Sequence, residues 1–285
     1  MTKKFHLIVL GILCAATVAV WTVLLRAERG ALTVAFLDVG QGDSIFIETS
    51  RGAQALIDGG ADAHVLSALG SVMPWYDRSL DLVLATHPDK DHVGGLAAVI
   101  DRYDVSSVVW NGAGHDTKTY QNFLDAAKEE EASGARFLVA RRGQRFALDT
   151  DVFLDILFPD RDPNGWETND GSIVAMLTFG DEKFLLTGDA PKGVETYLVG
   201  LDGEKLRANV LKLGHHGSKT SSALEFLSAV APEYAVVSAG ENNQYGHPHE
   251  EALSAARNAG AAILSTIDSK TVIFMSDSIS TKLMQ

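Results

Sequence analysis

Short apolar runs alternate with turns rich in glycine and polar residues along most of the chain, as is typical of strands and helices that share a core. Two β-rich runs within 31–48 flank the turn Gly40-Gln41-Gly42-Asp43 and predict a hairpin. Residues 80–85 predict a short buried strand, and residues 96–100 show helical spacing. Further strands are predicted at 55–60, 106–111, 137–139, 152–157, 172–177, 184–187, 210–213, 234–238, 262–264 and 271–275, and helices at 119–132, 222–230 and 252–259. This order predicts an α/β (α+β) fold with too many hairpins for a purely parallel sheet.

The two halves of the chain repeat one pattern of strand, histidine-bearing loop, helix and strand. In the first half, the loop that carries His87 follows the strand at 82–84. In the second half, the loop at 214–218 follows the strand at 210–213 and precedes the helix at 222–230. An internal duplication, with the two ligand loops facing each other across two sheets, accounts for this repeat.

The N-terminal residues 1–30 predict a membrane anchor, or a signal segment, ahead of a single domain at 31–285. One histidine and two threonines interrupt the apolar run at 5–25, which as a helix is about 32 Å long and sufficient to cross a bilayer core. The length of this run and the lack of a small-x-small cleavage site favour an uncleaved, single-pass transmembrane helix. Basic residues on the two flanks nearly balance, and we expect the catalytic domain on the extracytoplasmic side.

Composition narrows the class of protein. A chain of 285 residues with 46% hydrophobic residues suits one large domain. The net charge of −13 and the pI near 5.0 are unlike those of most nucleic-acid-binding proteins. The single cysteine, Cys14, excludes a disulfide framework and a multi-thiolate zinc site within this sequence. Four arginines around one predicted hairpin are interpreted as its solvated rim rather than as a phosphate-binding track: Arg136, Arg141, Arg142 and Arg145.

The stretch 86–95 holds the densest group of chemically competent side chains. Four metal-competent residues fall within six positions: His87, Asp89, Asp91 and His92. They follow a predicted strand and precede a predicted helix, so they point into one crevice of the kind in which α/β proteins bind ligands. Asp58, at the end of another strand and before two glycines, is either a turn residue or a group that orients a metal ligand.

The remaining candidates suggest two metal ions. Six of the nine histidines fall into three loop clusters: His87/His92, His215/His216 and His247/His249. With the aspartates, they form a mixed nitrogen and oxygen set without thiolate, which suits zinc, manganese or iron, and the carboxylates favour manganese. A pair of divalent ions about 3.5–4 Å apart clamps the oxygens of a displacement on phosphorus or carbon. Asp189, which lies between the two ligand loops in sequence, is the expected bridging carboxylate.

Five motifs in order resemble those of a known family. The run His87-Pro88-Asp89-Lys90-Asp91-His92 is similar to the H-x-H-x-D-H signature of the metallo-β-lactamase superfamily, with Asp89 in place of the middle histidine. That replacement and four further motifs resemble the hydrolase domain of the ComEC/Rec2 competence proteins: 36–43, 56–60, 211–218 and 245–249. The resemblance covers nearly all of the chain after residue 31.

The resemblance implies a four-layer αββα sandwich of the metallo-β-lactamase type and a two-metal hydrolase. The ligands it implies are His87 and Asp89 for the first ion, Asp91, His92 and His215 for the second, and Asp189 between them. The histidine that completes the first site in the superfamily has no counterpart here, so Asn169 or Asp170 fills its place or the site is weaker. The catalytic candidates are Asp91, His216 and His247, the histidines as groups that bind a phosphate or give a proton to the leaving oxygen.

The preferred interpretation is a membrane-tethered phosphodiesterase or nuclease that acts on DNA or nucleotides with two zinc or manganese ions. The family's proposed role is degradation of a DNA strand outside the cell, and the acidic charge favours a small or single-stranded substrate. Two alternatives stay open. One is hydrolysis of another ester, such as a lactone or thioester, and the other is a non-catalytic membrane-tethered binding factor. A single predicted span excludes a DNA pore, and the sequence does not indicate an oligomeric state.

Overall fold

The computed structural model describes residues 3–27 and 31–284. The strands are β1 (Leu32–Phe36), β2 (Ile45–Glu48), β3 (Gln54–Ile57), β4 (Ser79–Leu80), β5 (Leu82–Ala85), β6 (Asp104–Val105), β7 (Ser107–Trp110), β8 (Arg136–Val139), β9 (Arg145–Ala147), β10 (Val152–Phe158), β11 (Val174–Phe179), β12 (Glu182–Leu186), β13 (Val210–Lys212), β14 (Tyr234–Val237), β15 (Ala262–Ser265), β16 (Val272–Ser276) and β17 (Thr281–Leu283). The helices are α1 (Lys3–Ala27), α2 (His64–Val72), α3 (Lys90–Val93), α4 (Leu96–Ile100), α5 (Lys118–Ser133), α6 (Lys192–Asp202), α7 (Leu224–Val230), α8 (Glu250–Asn258) and α9 (Thr266–Ser269). Short 3₁₀ turns lie at Thr168–Gly171, Gly203–Leu206 and Gly214–Gly217.

Two mixed sheets form the centre of the domain. Across the described residues, the first has the order β17-β16-β1-β2-β3-β5-β7-β8 and the second the order β15-β14-β13-β12-β11-β10-β9, while β4 and β6 form a separate pair. The first sheet is antiparallel from β17 to β3 and parallel from β3 to β8. The second is antiparallel from β9 to β12 and parallel from β12 to β15. The predicted mixture of hairpins and parallel strands is confirmed.

Three buried clusters show how the layers stack. Phe36 and Phe274 of the first sheet pack with Phe184 of the second in a core between the sheets. A second core lies between the first sheet and α2, α4 and α5, and a third lies between the second sheet and α6, α7 and α8. Each sheet therefore buries both faces, and the order of layers is helix, sheet, sheet, helix. The αββα sandwich is the architecture that the sequence implied.

Some elements differ from the sequence-based expectations. The predicted strand 80–85 is divided between β4 and β5, because Asp81 turns out of the strand to exchange hydrogen bonds with Gln54. Helices α2 and α6 were not predicted, since each is short and carries an internal glycine that weakens the helical signal. The strands β9 and β17 were likewise not predicted.

Most of the predicted anchor, residues 3–27, forms helix α1. The rest of it, residues 1, 2 and 28–30, lies outside the described residues. Several large apolar side chains of α1 are exposed, among them Leu10, Ile12 and Trp21. Within the described part of the chain, none of the helices combines the length and the apolar character needed to span a bilayer. The transmembrane part of the prediction therefore has no support from the described residues.

Candidate metal centre

The candidate site lies where the carboxyl ends of strands from both sheets meet, the edge at which α/β proteins commonly place ligands. Asp43 comes from the turn before β2, and Asp58 follows β3. The motif at 87–92 follows β5, Asp189 follows β12, and the 3₁₀ turn Gly214–Gly217 follows β13. The predicted meeting of two ligand loops across two sheets is what the structure shows.

The backbone around Gly42 brings the turn before β2 against the 87–92 motif. Gly42 has a φ of +127°, and a Cβ on it would lie 2.0 Å from the Asp91 carbonyl oxygen. The Asp43 amide donates to the same carbonyl at 3.1 Å. Only glycine permits this approach, which places the Asp43 carboxylate beside the motif.

Three histidines are held with their Nε2 atoms turned inward. The Nδ1 atoms of His92 and His216 contact Asp58 Oδ2 at 2.8 Å and the Ser238 carbonyl oxygen at 2.9 Å. The Nδ1 of His87 lies 3.0 Å from the Thr86 hydroxyl. Each of these partners accepts a hydrogen bond from Nδ1–H, which leaves the lone pair of Nε2 to bind a metal.

Asp58 anchors two of these rings at once. It accepts hydrogen bonds from the Thr86 amide at 2.8 Å and the Thr86 hydroxyl at 2.7 Å while it contacts His92. Because the Thr86 hydroxyl donates its hydrogen bond to Asp58, its oxygen is free to accept a hydrogen bond from His87 Nδ1–H. Of the two interpretations of Asp58, the structure favours the group that orients metal ligands.

Four buried side chains converge tightly enough to hold an ion. One ligand atom from each lies within 4.8 Å of all the others in the set Asp43, His92, Asp189 and His216. Asp189 Oδ1 lies 3.3 Å from His92 Nε2, and Asp189 Oδ2 lies 3.4 Å from His216 Nε2. Asp91 Oδ2 lies 3.3 Å from the same His216 nitrogen.

Several buried polar atoms of the site have no hydrogen-bond partner among the described residues: His87 Nε2, His92 Nε2, His216 Nε2, Asp43 Oδ1 and Asp189 Oδ1. Buried polar groups are otherwise almost always paired, because an unpaired one costs about 1–3 kcal/mol. Nitrogen and carboxylate atoms left free around one pocket are the donors that a divalent transition metal takes. The residues present thus fit a metal centre.

A buried lysine sets the charge of the site. Lys212 is fully buried, pairs with Asp43 Oδ2, lies 3.7 Å from Asp189 Oδ1 and donates to the Gly188 carbonyl at 2.8 Å. Burial by itself would raise the pKa of Asp43, but the Lys212 ammonium and the His216 ring together hold that pKa below its ordinary value. For Asp189, the attraction of His216 and His92 likewise exceeds the effect of burial and lowers the pKa.

The aspartates act in return on the buried histidines. Burial opposes a charge on His216, yet Asp189 and Asp43 raise its pKa to about 9. The pKa of His92 is also raised well above its usual range, since Asp189 and Asp58 outweigh burial. A metal ion that binds either ring at Nε2 therefore competes with a proton.

The other half of the site is more open. His87 Nε2 lies 3.7 Å from Asp89 Oδ2 and 4.0 Å from Asp189 Oδ2. His215 Nε2 also lies 4.0 Å from Asp189 Oδ2. Asp89 accepts a hydrogen bond from the Thr168 hydroxyl at 3.0 Å. The two oxygens of Asp189 thus face both groups of ligands, the position expected of a bridging carboxylate.

The two adjacent histidines do not lie where the family resemblance implied. His216, and not His215, contacts Asp91 and completes the cluster around His92, because His215 and His216 both take left-handed backbone angles that turn their rings apart. Asn169 Nδ2 lies 3.3 Å from His215 Nδ1 rather than in the first site, and Asp170 is exposed.

His247 lies at the rim of the site. Its ring centre is 5.2 Å from that of His215 and 6.0 Å from that of His216. Burial and the neighbouring histidines lower the pKa of His247 to about 4, so the ring is neutral at physiological pH. Tyr245 stacks on it at 5.6 Å.

Sequence reasoning missed Asp43, Lys212 and Glu195. The pattern around Asp43 predicts only a turn, although the glycine before it is typical of a close backbone contact. Lys212 is a single lysine within a predicted buried strand, and that position is itself a signal, since a lysine is seldom buried without a partner. Glu195 accepts hydrogen bonds from the amides of Ser222 and Ala223 and so secures the loop after the histidine pair.

A four-layer sandwich with paired histidine and carboxylate ligands at one edge of its sheets defines a class of metal-binding proteins. The chain belongs to the metallo-β-lactamase superfamily, which its sequence matches over residues 37–241. Among curated proteins it is similar to ComE operon protein 3 of Bacillus subtilis (strain 168), with 30% identity over 84% of this chain and 32% of the relative. It is also similar to the competence protein ComA of Neisseria gonorrhoeae, with 35% identity over 84% of this chain and 31% of the relative.

The chain spans about a third of the length of these curated relatives. Among solved structures, it resembles CmlA, a diiron β-hydroxylase from Streptomyces venezuelae, with a TM-score of 0.55 and 13% identity over 89% of this chain and 54% of CmlA. At that identity the likeness concerns the fold alone. The relationship to competence proteins that the motifs predicted is confirmed.

Proposed function

We propose that the chain is a two-metal phosphodiesterase that hydrolyses single-stranded DNA or nucleotides. The observation that carries the proposal is the set of inward-facing Nε2 atoms of His87, His92 and His216, which stand unpartnered beside Asp189 among the described residues. The relatives add the substrate class, because competence is the uptake of DNA and one relative is named for it. Membership of the superfamily supports hydrolysis.

Each half of the site offers side chains that could bind one ion. His87 and Asp89 would hold the first, and Asp91, His92 and His216 would hold the second. Asp189 would serve both, since its Oδ2 lies 4.0 Å from His87 Nε2 and 3.4 Å from His216 Nε2, while its Oδ1 lies 3.3 Å from His92 Nε2. When bound, such ions act as Lewis acids on phosphoryl oxygens and produce the nucleophile from water.

The protein's own residues do the remaining work. Asp58 and Ser238 fix the rings of His92 and His216, so that little reorganisation is needed on binding. Neutral His247 at the rim is suited to hydrogen-bond a phosphate oxygen or to accept a proton. The low pKa of His247 argues against a protonated ring that donates a proton to the leaving oxygen.

Charge and exposure favour a small or unpaired strand. The chain carries a net charge of −13, which opposes the multiple phosphate contacts of a bound duplex. The arginines around β8 and β9 are engaged with groups of the chain itself: Arg142 with Asp202, Arg145 with Asp155, and Arg136 with Ser107. Their interpretation as a hairpin rim, and not a phosphate track, is the one that these contacts favour.

We also propose that residues 1–30 tether the domain to a membrane, with the catalytic domain on the extracytoplasmic side. The exposed apolar side chains of α1, among them Leu10, Ile12 and Trp21, support attachment to a membrane. Membrane fractionation of the full chain, with and without residues 1–30, tests it. Equal recovery of both forms in the soluble fraction would contradict it.

The activity is tested with bis-p-nitrophenyl phosphate, a short single-stranded DNA and a panel of carboxylic esters, each with Mn²⁺ or Zn²⁺. We expect hydrolysis of the phosphodiesters, a loss of at least 10³-fold in Asp189→Asn and no change in Asp162→Asn, a control on an exposed aspartate. Turnover of carboxylic esters alone would assign the chain to another class of ester hydrolase. Metal binding without any turnover would indicate a binding factor.

A further inference from the structure

We infer that His215 supplies a second nitrogen ligand, beside His87, to the first metal site. The adjacent residues His215 and His216 would then serve different ions. The inference rests on the proposed two-metal site. It replaces the expectation that Asn169 or Asp170 fills this place and that His215 belongs to the second ion.

The distances around Asp189 support this assignment. Asp189 Oδ2 lies 4.0 Å from His215 Nε2 and 4.0 Å from His87 Nε2, and the latter is 3.7 Å from Asp89 Oδ2. Ligand atoms around one tetrahedral ion, with bonds of about 2.0–2.2 Å, stand roughly 3.3–3.6 Å apart. Asp189 Oδ2 thus lies 4.0 Å from a nitrogen of each of these two histidines, and the side chains of His215, His87 and Asp89 have to close further around an ion to reach bonding distance.

The second ion already has its ligands without His215. His216 Nε2 is 3.3 Å from Asp91 Oδ2 and 3.4 Å from Asp189 Oδ2, and its Nδ1 is fixed by Ser238. The left-handed angles of both histidines, with φ of 49° and 54°, separate their ring centres by 6.1 Å at an angle of 73°. One backbone turn thus directs the two neighbouring rings apart while both present Nε2 to one oxygen of the bridging carboxylate, Asp189 Oδ2.

One polar side chain fixes the far side of the His215 ring. The Nδ1 of His215 lies 3.1 Å from the Thr220 hydroxyl, which donates its own hydrogen to Ser218 Oγ. The Thr220 oxygen therefore accepts a hydrogen bond from Nδ1–H, which leaves Nε2 free on the side of Asp189. Asn169 Nδ2 lies 3.3 Å from the same Nδ1 but is itself a donor, so it packs beside the ring without a hydrogen bond, and Asp170, which is exposed, plays no part. This is the arrangement by which metal-bound histidines are generally oriented.

The experiment counts the manganese ions that the full chain binds. His215→Asn is the primary variant, because asparagine tolerates the left-handed backbone at this position while its side chain is too short to reach the ion. By calorimetric titration with Mn²⁺, we expect two sites in the native chain. In the variant we expect one site unchanged and the other weakened at least 100-fold. His249→Ala, which alters a histidine of the same rim, should keep both sites.

Electron paramagnetic resonance gives a readout that does not depend on turnover. The exchange-coupled signal of a manganese pair in the native chain should change in His215→Asn to the six-line signal of an isolated ion. Thr220→Val, which removes the partner of Nδ1 together with the hydrogen bond from Thr220 to Ser218, should weaken the same site about 10–100-fold. Circular dichroism confirms that each variant is folded.

Two unchanged manganese sites in folded His215→Asn would overturn the inference, even if the native chain hydrolyses phosphodiesters. Conversely, two ions in the native chain and the loss of the same single site in His215→Asn and in Asp89→Asn, with no further loss in the double variant, would sustain it even if the substrate proves to be another ester. The experiments can therefore contradict the ligand role of His215 without contradicting the phosphodiesterase activity, and the reverse.

Discussion

Replacement of Lys212 by methionine tests whether the buried ammonium holds the site together. The side chain is fully buried, pairs with Asp43 and lies near Asp189. Methionine fills a similar volume without charge and leaves the Asp43 carboxylate buried without its strongest partner. Removing one member of a buried ion pair costs about 3–5 kcal/mol. Folded domains have about 5–15 kcal/mol of stability, so the loss is a large fraction of the total.

The assay is equilibrium unfolding in urea with EDTA, which separates the ion pair from metal binding. At a slope of about 3 kcal/mol per molar, the midpoint of Lys212→Met should fall by roughly 1–1.7 M. The control Lys205→Met changes an exposed lysine and should stay within about 0.5 kcal/mol of the native chain.

A double variant isolates the pair itself. In Lys212→Met with Asp43→Asn no unpaired charge remains between the two positions, so the double variant should be at least about 2 kcal/mol more stable than the sum of the two single losses predicts. A loss below 1 kcal/mol for Lys212→Met, or strictly additive losses, would refute the reasoning that this ammonium compensates the buried carboxylate.

Three further predictions follow from other contacts. Asp58→Ala frees the Nδ1 of His92, and metal affinity measured by calorimetry should fall about 10–100-fold; an unchanged affinity would show that the ring needs no support. Gly42→Ala places a methyl group 2.0 Å from the Asp91 carbonyl oxygen at a positive φ, so urea unfolding should show a loss of at least about 2 kcal/mol, and a neutral result would contradict the close approach. Burial raises the pKa of Glu195 from 4.5 to about 7, so the folded state retains a proton that the unfolded state loses, and stability should fall by up to about 3 kcal/mol as pH rises between those values. This fall should be absent in Glu195→Gln, and equal pH profiles in EDTA would argue against the raised pKa.

Apolar runs and glycine-containing turns predicted most of the strands and the mixed α/β character of the fold, while the four-layer αββα architecture was implied by the family resemblance. Local patterns also identified the 87–92 motif, Asp189 and the histidine pair. The family resemblance implied that His215 and not His216 serves the second ion, since the orientation of the two rings arises from two successive residues with left-handed backbone angles, which the residue types do not predict.

What stayed hidden depends on contacts between distant segments. Lys212 reads as one polar residue in a buried strand, and only the fold brings it to Asp43, far away in the chain. Glu195 likewise lies on a helix that the sequence did not predict, and its partners are the amides of the loop at 222–223. Such long-range pairs have no local signature in a single sequence.

The buried Lys212 also bears on the charge that a substrate would meet. Five carboxylates surround the site: Asp43, Asp58, Asp89, Asp91 and Asp189. Two divalent cations together with the one ammonium would balance these five negative charges, which leaves the loaded pocket formally neutral. The two ions would also reduce the net charge of the chain from −13 to −9, so an anionic phosphodiester would approach a pocket without net charge on a chain that is still acidic. The acidic surface therefore repels long polyanions, whereas the neutral pocket does not repel a single phosphate group.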